Sequence, residues 1–381
     1  MSEQGGVERI DTVVIGGGQA GLSAGYHLAR RGLSFVILDA DTRIGDHWRD
    51  RWDSLRLYSP ARYARLPGMR FPAENYHYPT AREMGDYLEA YAARFSLPVR
   101  SGITVDSVRP RPDGGYDVQA GDLRIEAGQV VVATGPFRIP SIPDFAGDLD
   151  PGIRQLHSND YHDPSQLKDG PVLVVGLSHS GADIALEAAK SHPTHLSGRS
   201  HGELPIAVID RWRAHLLMPL ADFAFNHVLT MRTPMGRKMA KEIRKGGGPL
   251  LRVRRIDLTK AGVNMSEART AGVRDGRPVL ADGTVLDVTN VIWCTGFRLD
   301  YDWIEVDGIV DEDGWPNHVR GVVQQAPSLY FLGVPFTYSF SSMLVHGAGR
   351  DAAFVVDRIA ERVNGRASAD QGSSGRQVAL G

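Results

Sequence analysis

Residues 11–41 read DTVVIGGGQAGLSAGYHLARRGLSFVILDAD. The apolar run Val13–Ile15 reads as a buried strand, and it meets Gly16-Gly17-Gly18-Gln19-Ala20-Gly21. An apolar-periodic helix follows through Leu28, then a second short strand, Phe35–Leu38, which ends at Asp39. Strand, glycine turn, helix, strand and acid in this order make a dinucleotide-binding unit. Gly16 permits the tight turn, Gly18 lets the backbone approach a pyrophosphate, and Gly21 lets helix and strand pack closely. The helix N-terminus faces the phosphates. Asp39, 23 residues after Gly16, is placed to bind a ribose diol.

Residues 171–185, PVLVVGLSHSGADIA, repeat the plan. Gly176 opens the turn, Gly181 closes it, and the helix is expected to reach about Lys190. The strand-like THLSGR ends in Arg199, again 23 residues after the first glycine. Ser178 stands where the second glycine belongs. Its small side chain either donates to a phosphate oxygen or pushes the pyrophosphate outward. An acid at the end of the second strand suits FAD or NAD, whereas an arginine there pairs with the 2′-phosphate of NADPH. The alternative for Arg199 is a solvated surface residue.

A second echo supports duplication. VVVATG ends at Gly135 and VIWCTG at Gly296, 119 and 120 residues after Gly16 and Gly176. The spacing predicts an α/β fold with two Rossmann-like dinucleotide-binding domains, the second inserted into the first. Residues 1–165 and 291–365 form the first domain. Residues 171–290 form the second, with a helical insert over about 200–248, and 366–381 are expected to be a disordered polar tail. The insert carries Trp212, Met218, Phe223 and Phe225. They wall a substrate pocket, form a homodimer surface or pack as plain core, and the sequence does not choose.

Composition narrows the function. The formal net charge is −2, which offers no electrostatic match to nucleic acid or an anionic membrane. The N-terminal residues show no cationic leader and no apolar run is long enough to span a bilayer, so a cytoplasmic location is expected. The only cysteine, Cys294, forms neither an internal disulfide nor a CxxC redox pair. Spaced metal-ligand signatures are missing, so no metal is expected.

The order of several further pieces resembles the flavin-containing monooxygenase group and its bacterial relatives, flavoproteins with two dinucleotide-binding domains of the disulfide-reductase/flavin monooxygenase type. The pieces are GGGQAG, IGDHWRDRWDSLRLYSPARYARLPG, YPTAREMGDYLEAYAARF, VVATGPF, DFAGDLDPGIRQLHSNDY, VVGLSHSGADIA and CTGF, and the resemblance covers roughly residues 9–360. It implies that Gly16, Gly18, Gly21 and Asp39 hold FAD, with Gly45 and Trp48 near the flavin. It implies NADPH at Gly176, Ser178, Gly181 and Arg199, and places Gly135 and Gly296 beside the cofactors. The identifying motif of the group resembles Phe145, Gly147, His157 and Tyr161, with a longer spacer before His157, and its role is structural support. Ser341 and Ser342 would open the final helix and stabilise negative charge on the flavin. Tyr58 stands where the animal enzymes have an asparagine, and is either a catalytic hydrogen-bond donor or a wall residue. His47, just before Trp48, lies either beside the flavin or, as the better reading, at the surface or in a supporting position.

The implied activity is oxygenation of a small organic substrate with NADPH and O2, through a C4a-(hydro)peroxyflavin. The alternatives are an NAD(P)H-dependent flavin oxidoreductase without oxygen insertion, and a non-enzymatic flavin-binding protein with a decayed coenzyme site.

Overall fold

The structure is a computed structural model that describes residues 6–203 and 211–377, without the side chains of 211–216 and 366–377. The chain opens with β1 (Glu8–Ile15), α1 (Gln19–Arg30), β2 (Phe35–Asp39), α2 (Asp46–Arg49), α3 (Ala81–Arg94), β3 (Val99–Ser101), β4 (Ser107–Pro110), β5 (Tyr116–Ala120) and β6 (Leu123–Val132). It crosses through β7 (Ile139–Pro140) to β8 (Arg154–His157), β9 (Val172–Val175), α4 (His179–Ala188), β10 (Thr194–Ser197), α5 (Arg211–Phe223), α6 (Pro234–Arg244), α7 (Arg255–Lys260) and β11 (Asn264–Ser266). The hairpin β12 (Thr270–Arg274) and β13 (Arg277–Leu280) precedes β14 (Asn290–Trp293), and β15 (Phe297–Arg298) leads back to β16 (Leu329–Phe331) and α8 (Val345–Gln377).

The first sheet has the order β3-β2-β1-β6-β5-β4. β6 is long enough to serve two partners: its first half pairs antiparallel with β5, and its last three residues pair parallel with β16. The second sheet, β11-β10-β9-β14-β8, is parallel throughout. Its central strands β9 and β14 are buried along their whole length, as expected of parallel strands covered on both faces. That is why VLVV and NVIW carry little alternation. On the first sheet, α1, α3 and α8 bury Leu22, Leu28, Tyr87, Tyr91, Val355 and Ile359 in one core. The two crossings between sheets run side by side, with Phe297 opposite Pro140 and Arg298 opposite Ile139 in an antiparallel ribbon.

Three features differ from the sequence reading, and the helical insert agrees with it. β8 and β14 both belong to the second sheet, so its strands reach from Arg154 to Trp293, wider than 171–290. β8 is short and polar, RQLH, which hides it from any apolar pattern. The final helix continues to Gln377, past the start of the expected disordered tail at 366; once its packed half is formed, each further residue adds a hydrogen bond without a new nucleation cost. Residues 378–381 lie outside the described residues. Ser341 and Ser342 do not begin that helix. They lie in a separate 3-10 turn, Phe340–Met343, and Leu344 breaks the two apart with extended dihedrals (φ −101°, ψ 155°). Finally, the insert consists of α5, one π-helical turn over Ala224–Val228, and α6. There Phe225 stacks on Phe340 with ring centroids 4.5 Å apart, while Phe223 is exposed. The side chain of Trp212 lies outside the described residues.

Candidate functional site: two glycine turns and the network between them

The first turn joins β1 to α1. Gly16 takes φ +109°, and a Cβ there would stand 2.5 Å from the Ala133 carbonyl oxygen. A Cβ on Gly21 would stand 1.9 Å from the Gly16 carbonyl oxygen. Neither position admits a side chain without moving backbone. Gly18, the N-cap of α1, differs: a Cβ there would meet only the ring of His47, at 3.6 Å. The space before it is open. The first helical hydrogen bond runs from Leu22 N–H to Gly18 O, so the preceding N–H groups of the helix start are free of intrahelical partners.

Asp39 closes the turn from β2. It is 8% exposed, and its Oδ2 has no hydrogen-bond partner. Burial, and then the neighbouring Asp41, push its pKa up. The Gly17 and Asp41 backbones hydrogen-bond this carboxyl, but a buried oxygen left without a donor is costly, and a ribose diol would supply one. An open glycine face at a helix N-terminus, with this acid beside it, fits the ADP half of a dinucleotide. Opposite, Gly45 takes φ +87° and presses on α3, where a Cβ would lie 2.5 Å from Gly85 O. Trp48 follows on α2. It packs against the cores of both sheets, and its buried Nε1 is a second polar atom without a partner.

The second turn repeats the scaffold. Gly176 takes φ +119°, with its would-be Cβ 2.3 Å from Cys294 O, and that of Gly181 lies 1.8 Å from Gly176 O. The approach position is altered. Ser178 is the N-cap of α4, yet its Oγ donates to Gly248 O at 3.1 Å instead of capping the helix. His179 hydrogen-bonds the Pro249 backbone, and its buried Nε2 has no partner. A segment around Gly248 thus lies across this turn.

The strand register separates the two ribose positions. Ile15 pairs with Leu38 and Val175 with Ser197, and Gly16 N–H and Gly176 N–H each donate at 2.7 Å to those partners. The counterpart of Asp39 is therefore Gly198, and Arg199 sits one residue further, although both lie 23 residues after their glycine. Gly198 must lack a side chain, since a Cβ would stand 2.5 Å from Leu177 N. Arg199 is exposed, within electrostatic reach of Glu242 on α6.

Tyr58 links the two units. Its hydroxyl donates to Asp183 Oδ2 on α4 at 3.2 Å. Arg252 reaches the same carboxylate at 2.9 Å and donates to Ser54 O. Asp183 is almost wholly buried; burial raises its pKa, and Arg252 opposes that shift. Burial, with Asp183 next, lifts the Tyr58 hydroxyl well above the phenol range. Tyr58 therefore stays protonated and donates its hydroxyl hydrogen bond to Asp183.

The four motif residues do not converge. His157 ends β8 and is 1% exposed. Its Nδ1 accepts from Asn159 N–H at 3.1 Å, so the ring proton lies on Nε2, which donates to Gly296 O at 3.0 Å. Burial pushes its pKa down, and a neutral, fixed ring under the Gly296 crossing (φ +83°) results. Tyr161 is fully buried and donates to Glu187 on α4. Phe145 packs instead on Trp293, with ring centroids 6.0 Å apart. Gly147 lies in an exposed 3-10 turn where a Cβ would meet nothing. Gly135, at φ +70°, lines a small cavity of about 50 Å³ with Thr134, Arg298 and Tyr301.

The 3-10 turn before α8 is tied to the insert. Ser341 Oγ donates to Asn226 Oδ1 at 2.7 Å, and Arg350 reaches Asn226 Oδ1 at 2.8 Å and Ser341 Oγ at 2.9 Å. Ser342 Oγ accepts from the N–H groups of Tyr338 and Ser339. Asn226 has no motif around it, and only the fold brings it to Ser341. Among the described residues no group of histidine, cysteine and carboxylate side chains is placed to hold a metal, and no helix is long and apolar enough to cross a membrane.

Comparison with known proteins agrees with this geometry. The family model described as pyridine nucleotide-disulphide oxidoreductase matches residues 13–201, from the first strand to just past Arg199. An uncharacterized CzcO-like oxidoreductase of Geobacillus kaustophilus is 36% identical, over 92% of this chain and 98% of that one. A probable indole-3-pyruvate monooxygenase of Arabidopsis thaliana is 28% identical, over 92% and 86%. Among solved structures, a flavin-containing monooxygenase from Stenotrophomonas maltophilia superposes with a TM-score of 0.74 at 28% identity, covering 94% of this chain and all of that one. Cyclohexanone monooxygenase, at 16% identity and a TM-score of 0.70, shares the fold. The chain belongs with the CzcO-like oxidoreductases, as a flavin-dependent oxidoreductase similar to the flavin monooxygenases, and residues 13–201 match the pyridine nucleotide-disulphide oxidoreductase model.

Proposed function

We propose that the chain is a monooxygenase that binds FAD at the Gly16–Gly21 turn and NADPH at the Gly176–Gly181 turn, and transfers oxygen from O2 to a small organic substrate. The observation that carries the reading is the buried Asp39 Oδ2 without a partner, beside an open glycine face. Gly16 and Gly21 shape the cradle, Gly18 admits the pyrophosphate, Asp39 accepts from the ribose, and Trp48 closes the flavin side. Gly176, Ser178 and Gly181 receive the coenzyme, and Arg199 reaches its 2′-phosphate from the rim. Bound flavin supplies hydride acceptance and oxygen activation; the chain supplies orientation and a dry cleft. His157 and Tyr161 brace the crossing and α4, and Ser341–Ser342 present the polar turn that faces the flavin.

Tyr58 acts by position. Its hydroxyl donates to Asp183, so it holds the 51–60 loop to α4. Disulfide reduction lacks a nucleophile: the single thiol, Cys294, is half-buried just past β14, and desolvation pushes its pKa far up. The test is product labelling under ¹⁸O2 with NADPH. One labelled oxygen per product molecule is expected for an oxidised sulfur, nitrogen or ketone substrate. NADPH oxidation that reduces an added acceptor, with no label in any product, would favour the oxidoreductase without oxygen insertion.

A further inference from the structure

We infer that His47 is a further cofactor-binding residue, whose ring donates to the pyrophosphate lying over Gly18. The inference rests on the first turn being the FAD site. Asp41 Oδ2 fixes His47 twice: it accepts from the backbone N–H at 3.0 Å and lies 3.3 Å from the ring Nδ1. That leaves the opposite edge, Cε1 and Nε2, and both atoms stand 3.6 Å from where a Cβ of Gly18 would be. Gly18 marks the closest approach of backbone to pyrophosphate. Nε2 therefore points into the volume the phosphates fill. The side chain is 35% exposed, which leaves that edge accessible to an entering ligand.

Charge gives the contact a sign. With a proton on Nδ1 facing Asp41, a neutral ring offers a lone pair at Nε2, which repels a phosphate oxygen; the imidazolium offers a donor. The groups around His47 are Asp41, Asp39, Arg51, whose Nε donates to the His47 carbonyl, and the ring of Trp48 at 6.1 Å. The hydrogen bond from the His47 ring holds the Asp41 carboxyl below the usual range. A pyrophosphate arriving here meets two carboxylates against one guanidinium, and a donor at His47 Nε2 offsets that repulsion.

The test uses deflavinated full-length protein and FAD fluorescence quenching. His47→Leu is expected to bind FAD about tenfold more weakly, the loss of one charge-assisted contact. His47→Gln, which keeps a donor, is expected to recover part of that loss. Wild-type affinity in both His47 variants would overturn the assignment and leave the FAD reading intact. Failure of the wild type to bind FAD would overturn both.

Discussion

The two glycine turns share a scaffold and differ at their working faces. The contacts that forbid a side chain agree to within 0.2 Å: 2.5 and 2.3 Å at Gly16 and Gly176, 1.9 and 1.8 Å at Gly21 and Gly181. Those positions answer to the backbone alone. The positions that meet a ligand are free to diverge. The first turn has an open glycine face and a buried acid awaiting donors. The second has a serine hydroxyl bound to Gly248 O, and a glycine in the register position of the acid. The comparison teaches that turning and packing are fixed by sterics, while approach and ribose recognition set how tightly each site holds its ligand. The first face suits a resident cofactor, and the second an exchanging coenzyme.

The comparison breaks most severely if the scaffold glycines are not equivalent. Gly21→Ala and Gly181→Ala each force a Cβ into a carbonyl oxygen. Each is expected to lose about 3 kcal/mol of stability in denaturant titrations. The first should also empty the protein of FAD, and the second should abolish flavin reduction by NADPH while FAD is retained. Next in size is Asp39→Asn. FAD affinity should fall about 10- to 100-fold, the range for a hydrogen bond to a charged group. In apo protein the sign reverses. The pKa of Asp39 is raised on folding, so its contribution to stability is present at low pH and lost as pH rises through the raised value. The asparagine should therefore make apo protein more heat-stable at neutral pH, and equal melting temperatures would show that the acid is not isolated.

Arg199→Ala should weaken NADPH about tenfold and leave NADH unchanged, with the difference shrinking in salt because the side chain is exposed. Equal loss for both coenzymes would place the 2′-phosphate elsewhere. Smallest is Tyr58→Phe, which removes one hydrogen bond to Asp183 and should cost about 1 kcal/mol of stability with little change in turnover. A large fall in turnover at unchanged stability would make Tyr58 a catalytic residue.

Much of this was legible in the sequence, for a physical reason. Gly16, Gly21, Gly176 and Gly181 are constrained by local backbone contacts, and such constraints appear as fixed spacings. Equal spacing is not equal register at Arg199, because the helix and loop between Gly176 and the next strand are one residue shorter than those after Gly16. The strap at Gly248, the Asn226–Ser341 contact and the Tyr58–Asp183–Arg252 network join residues far apart in the chain, so no local pattern marks them. Phe145 and Gly147 read as one motif with His157 and Tyr161, but β14 separates Phe145 on Trp293 from Tyr161 on α4. His47 reads from sequence as a supporting or surface residue in preference to one beside the flavin, because a lone histidine before a tryptophan has no signature; only the folded turn brings its ring to Gly18.

The most direct test of divided labour is a pair of binding titrations, FAD to apo protein and NADPH to FAD-loaded protein under anaerobic conditions, for Gly18→Ala and Ser178→Gly. A methyl at Gly18 meets only the His47 ring, at ordinary contact distance, so the fold should tolerate it while the pyrophosphate does not. Gly18→Ala should weaken FAD at least about tenfold, by taking the volume of closest phosphate approach, with unchanged stability and unchanged NADPH affinity in whatever fraction remains loaded. Ser178→Gly should free the turn from Gly248, tighten NADPH several-fold and leave FAD untouched. An FAD affinity unmoved by Gly18→Ala, or an NADPH affinity unmoved by Ser178→Gly, would contradict the assignment of the two turns.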